Sequence, residues 1–529
     1  MGISGPEPVL LSEPVVRQRR TSDVGCVALL LLVAVMILLF RNSAVPMQIW
    51  DESRNANNAM EMSRNGHLLV TYFHGMPDHW NTKPPLLIWC MDLFLQLGLP
   101  PLLAVRLPSI LAATTTVLLV FFFCRNWLGD RFAGLVAGLT LLSAPLFVGW
   151  HAGRTGDFDS FVSLFTLVYG LAFWRYLEAQ GRDRTRWIAL AGLGVALSVL
   201  TKGVGGVLAL PGLFLYAIFR GRLVKLLLDW RLWLTLLGIA AICGGYYALR
   251  NHFDPGYTQA VWRNEFTGRY LSVNEDHHGG PLYYFWTLVA KFEPGLCLLP
   301  LAVIPFFQSD RRRRSLVLLC LLIAAVLFAV LTKSQTKIFW YITPATPFLA
   351  LAVGIGLSDG VAWLRAREQR LPIFFGPRAA YVAVGAIFSI AILASVYYYQ
   401  IGVEKKLADS YMGGRYGPLL EQVRQRGVTR HVIILDYGDH KIVEGDTSGV
   451  FENYRPEAFF YALAETSRGM QVEVEKPGIS LPSGSWIATC DPRSSAWLTD
   501  HYQVAIEFQP NRWCEAGRTE GVKAGSSAQ

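Results

Sequence analysis

Two adjacent carboxylates, Asp51 and Glu52, follow Trp50 just past an apolar run, and Lys83 stands before Pro84-Pro85 at the far end of the same polar gap. A carboxylate at a bilayer surface can take the proton of an acceptor hydroxyl when its surroundings tune its pKa. The same pair also suits the start of a helix over 54–65, with Asp51 or Ser53 as its cap. The two prolines stiffen the loop exit and fix where Lys83 points. A lysine held there either neutralises a lipid phosphate as a compact charge or snorkels to headgroups. Arg154-Thr155-Gly156-Asp157-Phe158-Asp159 has an Asp-x-Asp spacing that can hold a metal; alternatively, Asp159 opens the next helix and accepts hydrogen bonds. Lys202, Arg269, His278 and Lys337 are four separated cations. Together they suit a diphosphate or phosphodiester whose charge grows as a bond to it breaks. Taken singly, each reads as structural.

The elements that must position these residues are membrane helices. Of the 529 residues, 52% are hydrophobic and 16% charged, whereas soluble domains carry roughly 25% charged residues. The net charge of +9 does not imply a nucleic-acid partner, because the basic residues fall in short gaps between apolar runs, where they set orientation. Eleven runs read as spans: 24–41, 103–124, 132–150, 160–177, 187–201, 204–220, 232–250, 281–307, 315–332, 340–357 and 379–400. Residues 85–99 are apolar but short, and read as an amphipathic segment on the bilayer surface. No small-residue cleavage site follows Val24–Phe40, which reads as the first span rather than a signal peptide.

Alternate gaps hold the arginines, Arg311 to Arg314 most plainly, and by the positive-inside rule these gaps are cytoplasmic. The opposite set (42–102, 151–159, 201–203, 251–280, 333–339 and the tail from 401) faces outward and carries every residue of the opening paragraph. Charges at a membrane edge cost free energy unless paired, hydrated or used. Mixed carboxylates and cations on one face imply a site for an anionic, membrane-embedded substrate.

The domain reading follows: a cytoplasmic tail over 1–23, a transmembrane catalytic domain over 24–402, an extracytoplasmic α/β domain over 403–516 and a disordered tail over 517–529. Short strands are expected at 431–435, 471–474, 486–488 and 504–506, with helices near 416–426 and 456–464. Of eight cysteines, only Cys490 and Cys514 share that polar domain, and they are candidates for a disulfide in an oxidising compartment. No CxxC or HExxH spacing is present.

In their order these motifs resemble the bacterial branch of the GT-C glycosyltransferases, nearest the lipid A aminoarabinose transferases and the wider dolichyl-phosphate-mannose protein mannosyltransferase-like family (glycosyltransferase families 39 and 83). The resemblance covers roughly 45–350. It rests on the opening loop from Trp50 to Lys83-Pro84, on Arg106-Leu107-Pro108, Asp159 and Thr201-Lys202-Gly203. It continues through Arg269, His278-Gly279-Gly280-Pro281, Lys337 and Tyr341-Ile342-x-Pro344.

The resemblance implies a polytopic α-helical GT-C fold and an inverting sugar transfer from a polyprenyl-phosphate donor on the outer face of the inner membrane. The transferred unit would be a hexosyl or pentosyl group, and the acceptor a lipid, glycan or protein. Asp51 would be the catalytic carboxylate. Lys83, Lys202, Arg269 and Lys337 would hold the donor phosphate, while Glu52, Asp159, His278 and Tyr341 would support the site. No nucleotide cofactor is implied. Asn55 stands where the family usually has Tyr, and Thr82 where it has Glu before the lysine, which leaves a divalent metal open. Eleven spans also fall short of the thirteen expected in the lipid A branch. A transporter or flippase for a lipid-linked anionic glycan is the alternative; it would place charges near the midplane and show internal repeats.

Overall fold

The computed structural model describes residues 13–48, 50–271, 273, 277–308, 310–367, 376–402, 416–429, 432–438 and 455–523; the side chains of 13–22, 266, 269 and 308 lie outside the description. Among these residues eight helices are long and apolar enough to cross a bilayer. A ninth crossing results if Tyr283–Lys291 and Gly295–Phe307, bent by 104°, form one span. The eleven apolar runs therefore do not all become full-length helices. Run 132–150 is divided between the helix Arg131–Ser143 and the single turn Pro145–Val148, and run 204–220 holds the shorter helix Leu210–Phe219. Ala144 is extended before Pro145 and ends the first. In the second, the 3₁₀ turn Gly203–Val207 takes up the start of the run. The surface segment is the Leu86–Gln96 helix.

Small residues let the helices approach closely, as membrane packing requires. A Cβ at Gly354 would stand 2.3 Å from the Ala133 carbonyl oxygen, so Thr346–Arg365 and Arg131–Ser143 meet backbone to backbone there. The arginine-rich end is tied by Arg313, which reaches Asp130 at 2.6 Å and Asp359 at 2.5 Å from the start of the Arg311–Lys333 helix. At the other end the loop after the first span folds into the Asp51–Asn65 helix and a two-residue hairpin, β1 (Tyr72–Phe73) with β2 (Met76–Pro77).

The C-terminal region is a five-stranded mixed sheet. Its strands are β3 (Val432–Leu435), β4 (Val472–Glu475), β5 (Trp486–Thr489), β6 (Tyr502–Phe508) and β7 (Glu515–Val522), in the order β4-β3-β5-β7-β6. β3 runs parallel to β4 and β5, and β7 antiparallel to β5 and β6. Thr489 lies opposite Glu515 in register, which brings the next pair, Cys490 and Cys514, together; they are disulfide-bonded.

The expected disordered tail over 517–529 is corrected here. Residues up to Val522 form β7, an inner strand, and 524–529 lie outside the described residues. Glycine and polar side chains hid the strand, yet glycine is required at its centre. A Cβ at Gly517 would meet the Ala505 carbonyl oxygen at 2.3 Å. The expected start of this domain, 403–415, lies outside the described residues.

The sheet is not a separate body hung from the bundle. Met47, Ala56, Ala59, Met60, Leu87 and Met91 of the first loop share one buried core with Tyr416, Leu420, Phe460 and Tyr461. Tyr461 Oη accepts from Met47 N at 3.1 Å, and Asn57 Nδ2 donates to Pro456 O at 2.6 Å.

Candidate active site

The Asp51–Asn65 helix separates the acidic pair by side-chain direction. Glu52 is fully buried, and its carboxylate accepts from Arg106 Nε and Nη2 (2.6 and 2.9 Å), Gln48 N (2.9 Å) and Gly156 N (2.9 Å). Arg106 also donates to the carbonyls of Asn42, Val45 and Pro46. Glu52 is thus the anchor that clamps the loop to the Pro101–Phe123 helix and to the turn before Asp159. Asp51, with a side chain about 31% exposed, points to the open side.

Buried amides hold the rest of the loop. Asn55 Nδ2 donates to Gly156 O at 3.0 Å, and Asn81 Nδ2 reaches the Asn55 and Asn58 side-chain oxygens. Asn55 thus takes a positioning part between the helix and the turn before Asp159. Arg54 pairs with Asp78 at 2.7 Å beneath the β1–β2 hairpin and lies over the Phe73 ring. Burial would raise the Asp78 pKa, but the Arg54 guanidinium and donated hydrogen bonds hold it at about 2.

Facing Asp51 is a residue that sequence reasoning passed over. His151 Nδ1 lies 3.8 Å from Asp51 Oδ2 and 3.6 Å from Asp157 Oδ1. Its ring stacks on Trp340 with centroids 3.5 Å apart and planes 14° from parallel. Burial opposes the charged imidazolium, but Asp157 chiefly, then Asp51 and Asp159, raise the His151 pKa above the ordinary value. Asp51, His151 and Asp157 present ligand atoms all within 4.8 Å of one another, the one such group of three among the described residues. The one hint in the sequence was that His151 shares an outward gap with the Asp-x-Asp pair.

Next to this group lies a cavity of about 500 Å³ lined by Lys83, Asp159, Lys202, Glu265 and Tyr341 against Val162, Leu208, Val330 and Leu331. Lys202 Nζ binds both Asp159 oxygens at 2.6 and 2.8 Å and sits 5.0 Å from the Tyr341 ring centre. Lys83 is buried, 5.5 Å from the Phe158 ring centre. Glu265, absent from the expected site residues, accepts from Thr82 Oγ1 at 3.3 Å. A carboxylate therefore stands beside Lys83 although position 82 is threonine.

The remaining expected residues are less closely gathered. Lys337 is buried and donates from Nζ to the carbonyl of Ser334, which lines the cavity, at 2.7 Å. His278 is exposed in the segment whose neighbour His277 accepts from Lys337 N at 2.9 Å. Arg269 belongs to the π-helical stretch Trp262–Leu271 that borders the cavity, but its side chain lies outside the description. Cys490 and Cys514 belong to the sheet rather than to this centre.

The chain is similar to known proteins over much of its length. Residues 82–245 match the family model described as dolichyl-phosphate-mannose-protein mannosyltransferase. An undecaprenyl phosphate-alpha-4-amino-4-deoxy-L-arabinose arabinosyl transferase of Pseudomonas fluorescens is 26% identical over 355 residues, 66% of this chain and 58% of that protein. A namesake from Aeromonas salmonicida is 28% identical over 316 residues, 58% of this chain and 56% of its own length. The chain thus spans less than two thirds of the length of these relatives. The crystal structure of ArnT from Cupriavidus metallidurans bound to undecaprenyl phosphate superposes with a TM-score of 0.63 at 17% identity, over 94% of this chain and 98% of that one.

Proposed function

From the premise that this chain is a GT-C glycosyltransferase of the ArnT-like family, we propose that it transfers a sugar, with inversion, from a polyprenyl-phosphate donor to an acceptor. The observation that carries this is the cavity itself. Apolar walls suit an isoprenoid, and Lys83 with the Asp159–Lys202 pair suits a phosphate at its head. The acceptor hydroxyl attacks the anomeric carbon from the face opposite the phosphate, the carbon–oxygen bond to phosphate breaks, and Asp51 takes the hydroxyl proton. The leaving polyprenyl phosphate gains charge, and preformed cations contribute most where charge develops. Lys83 and Lys202 meet that charge directly. Glu52, saturated by Arg106, Gln48 and Gly156, holds Asp51 in place and takes no proton.

The arginine-rich gaps support a cytoplasmic N-terminus and an outward-facing sheet, and the Cys490–Cys514 bond supports an oxidising compartment for it. The reaction then lies on the outer face of the inner membrane. The names of the relatives favour a pentosyl unit on undecaprenyl phosphate; the acceptor class is lipid, glycan or protein.

The test is to supply purified protein with a panel of undecaprenyl-phosphate sugars and an acceptor extract, and to measure undecaprenyl phosphate release. Release is expected with at least one donor. In Lys202→Ala the donor KM should rise by more than the acceptor KM. Absence of release from folded protein across the panel refutes the reading.

A further inference from the structure

We propose that a second cleft, between the Asp51–Asn65 helix, the β1–β2 hairpin and the helix Pro456–Thr466, binds an uncharged sugar unit of the acceptor, which makes the acceptor a glycan-bearing molecule. The cleft has a volume of about 460 Å³ and is walled by Asn57, Glu61, Arg64, Tyr72, His74 and Phe459. Among the described residues it shares no lining residue with the donor cavity.

The argument begins with Asn57, which is only 1% exposed. Its Nδ2 is spent on the carbonyls of Ser53 and Pro456, at 2.8 and 2.6 Å. Its Oδ1 is buried and has no hydrogen-bond partner among the described residues. A buried acceptor left this way is rare in native proteins and calls for a donor from outside the chain. Asn57, Glu61 and Arg64 recur at helical spacing, so they share one face of the Asp51–Asn65 helix. That face therefore brings two oxygen acceptors and one cation to the cleft, and a hydroxyl can serve all three.

The opposite walls are aromatic. His74 and Phe459 have ring centroids 4.6 Å apart, and Tyr72 meets the His67 ring at 5.3 Å. His74 and Gly75 form the two-residue hairpin turn with φ of +53° and +76°. Asn-Gly is the usual pair in such a turn, so the imidazole at position 74 is not what the backbone alone selects. It adds a ring beside Phe459 instead.

Rings along one wall and placed polar groups along the other suit a sugar. Its C–H faces rest on the negative faces of aromatic rings, while its hydroxyls donate to Asn57 and Glu61 and accept from Arg64. Glu61 and Arg64 bring one charge of each sign, so the cleft does not select a phosphate or a cation by net charge. At about 1.5 Å of rise per residue, Asn57 and Glu61 stand roughly 9 and 15 Å along the helix axis from Asp51. The sugar held there is then not the reacting unit but one further along the acceptor. Its assignment to the acceptor rests on the transferase reading; binding itself does not.

The test measures binding of full-length protein in detergent, without donor, to an array of short uncharged oligosaccharides of gluco, manno and galacto configuration, with sugar phosphates and peptides as separate arms. At least one uncharged oligosaccharide should be retained. Saturation-transfer NMR with irradiation of the aromatic protons should then mark the ring C–H protons of that sugar. His74→Asn removes a ring yet suits the left-handed turn, and Glu61→Gln removes the charge yet keeps an acceptor for Gly75 N. Together the two should weaken binding at least about 10-fold. In the release assay they should raise the acceptor KM and leave the donor KM unchanged. No uncharged oligosaccharide retained, a preference for sugar phosphates or peptides, no transfer from aromatic protons, or equal binding by the folded double variant overturns the proposal. The NMR signal needs no variant, so a misfolded mutant does not blunt the test. If a sugar binds with that signature but no donor releases its lipid phosphate, the cleft stands as a sugar site and the transferase reading fails; release without sugar binding has the reverse meaning.

Discussion

Neutralising Asp51 and Glu52 one at a time should have opposite consequences. Glu52→Gln keeps the shape of the side chain but removes the negative charge from a fully buried carboxylate that accepts four hydrogen bonds, two of them from Arg106. The Arg106 guanidinium, 1% exposed, would then be left as an uncompensated buried charge. Breaking such a pair costs about 3–5 kcal/mol. The new amide would also direct hydrogens toward an N–H donor. At no more than about 2 °C per kcal/mol for a chain of this size, the melting temperature in detergent should fall by up to about 10 °C. Asp51→Asn touches a side chain about 31% exposed, outside the buried Glu52–Arg106 network, and should leave the melting temperature within about 1 °C of wild type, since changes away from such networks stay near ±0.5 kcal/mol. The assay is thermal unfolding of both variants beside undecaprenyl phosphate release at a temperature where both are folded. Asp51→Asn should abolish release; Glu52→Gln should retain a substantial part of it. An Asp51→Asn protein with wild-type turnover, or a Glu52→Gln protein with wild-type stability, would refute the division of labour.

Two further outcomes concern the C-terminal sheet. Reducing the Cys490–Cys514 bond, or replacing both with Ser, frees a loop closed across 24 residues, a loss of roughly 3 kcal/mol in the chain-entropy view; limited proteolysis should then cut between β5 and β7 while the helices persist. Glu457, buried beside Arg455 and Asp436, has its carboxyl pushed up to about 7, chiefly by burial. An acid raised this way holds its proton in the folded chain after the unfolded chain has lost it. Stability should therefore decline as pH rises from about 4.5 to about 7 and level off above that; Glu457→Gln should flatten the decline in a melting-temperature series against pH.

Much of the arrangement was legible because the bilayer imposes simple rules. Apolar runs located the helices, and Asp159 with Lys202 could be placed at helix ends, where the structure pairs them at 2.6 Å. Span lengths were less legible, since Pro145 and the Gly203–Val207 turn shorten helices without lowering their hydropathy. β7 was hidden because its pairing is carried by backbone and its close packing by Gly517, neither of which leaves an alternating apolar pattern. His151 was hidden for another reason. Its part depends on a left-handed backbone and on Trp340, some 190 residues away, and no local spacing encodes either. Similarly, Glu265 could be seen as an outward charge but not as the partner of Thr82.

The shared core of the first loop and the sheet bears on how such chains can be recombined. Tyr461 and Pro456 bond to the backbone and side chains on either side of Asp51, and the ring of Phe459 meets Phe73 edge-on. A chimera that exchanged the region after residue 402 for that of a relative would keep every lysine of the cavity, yet would present the Asp51 helix with a foreign surface. To work, such a graft must bring residues 45–80 along with the sheet. The unit of inheritance for the reaction centre is then a loop and a distant sheet together, two stretches separated by the whole helical bundle.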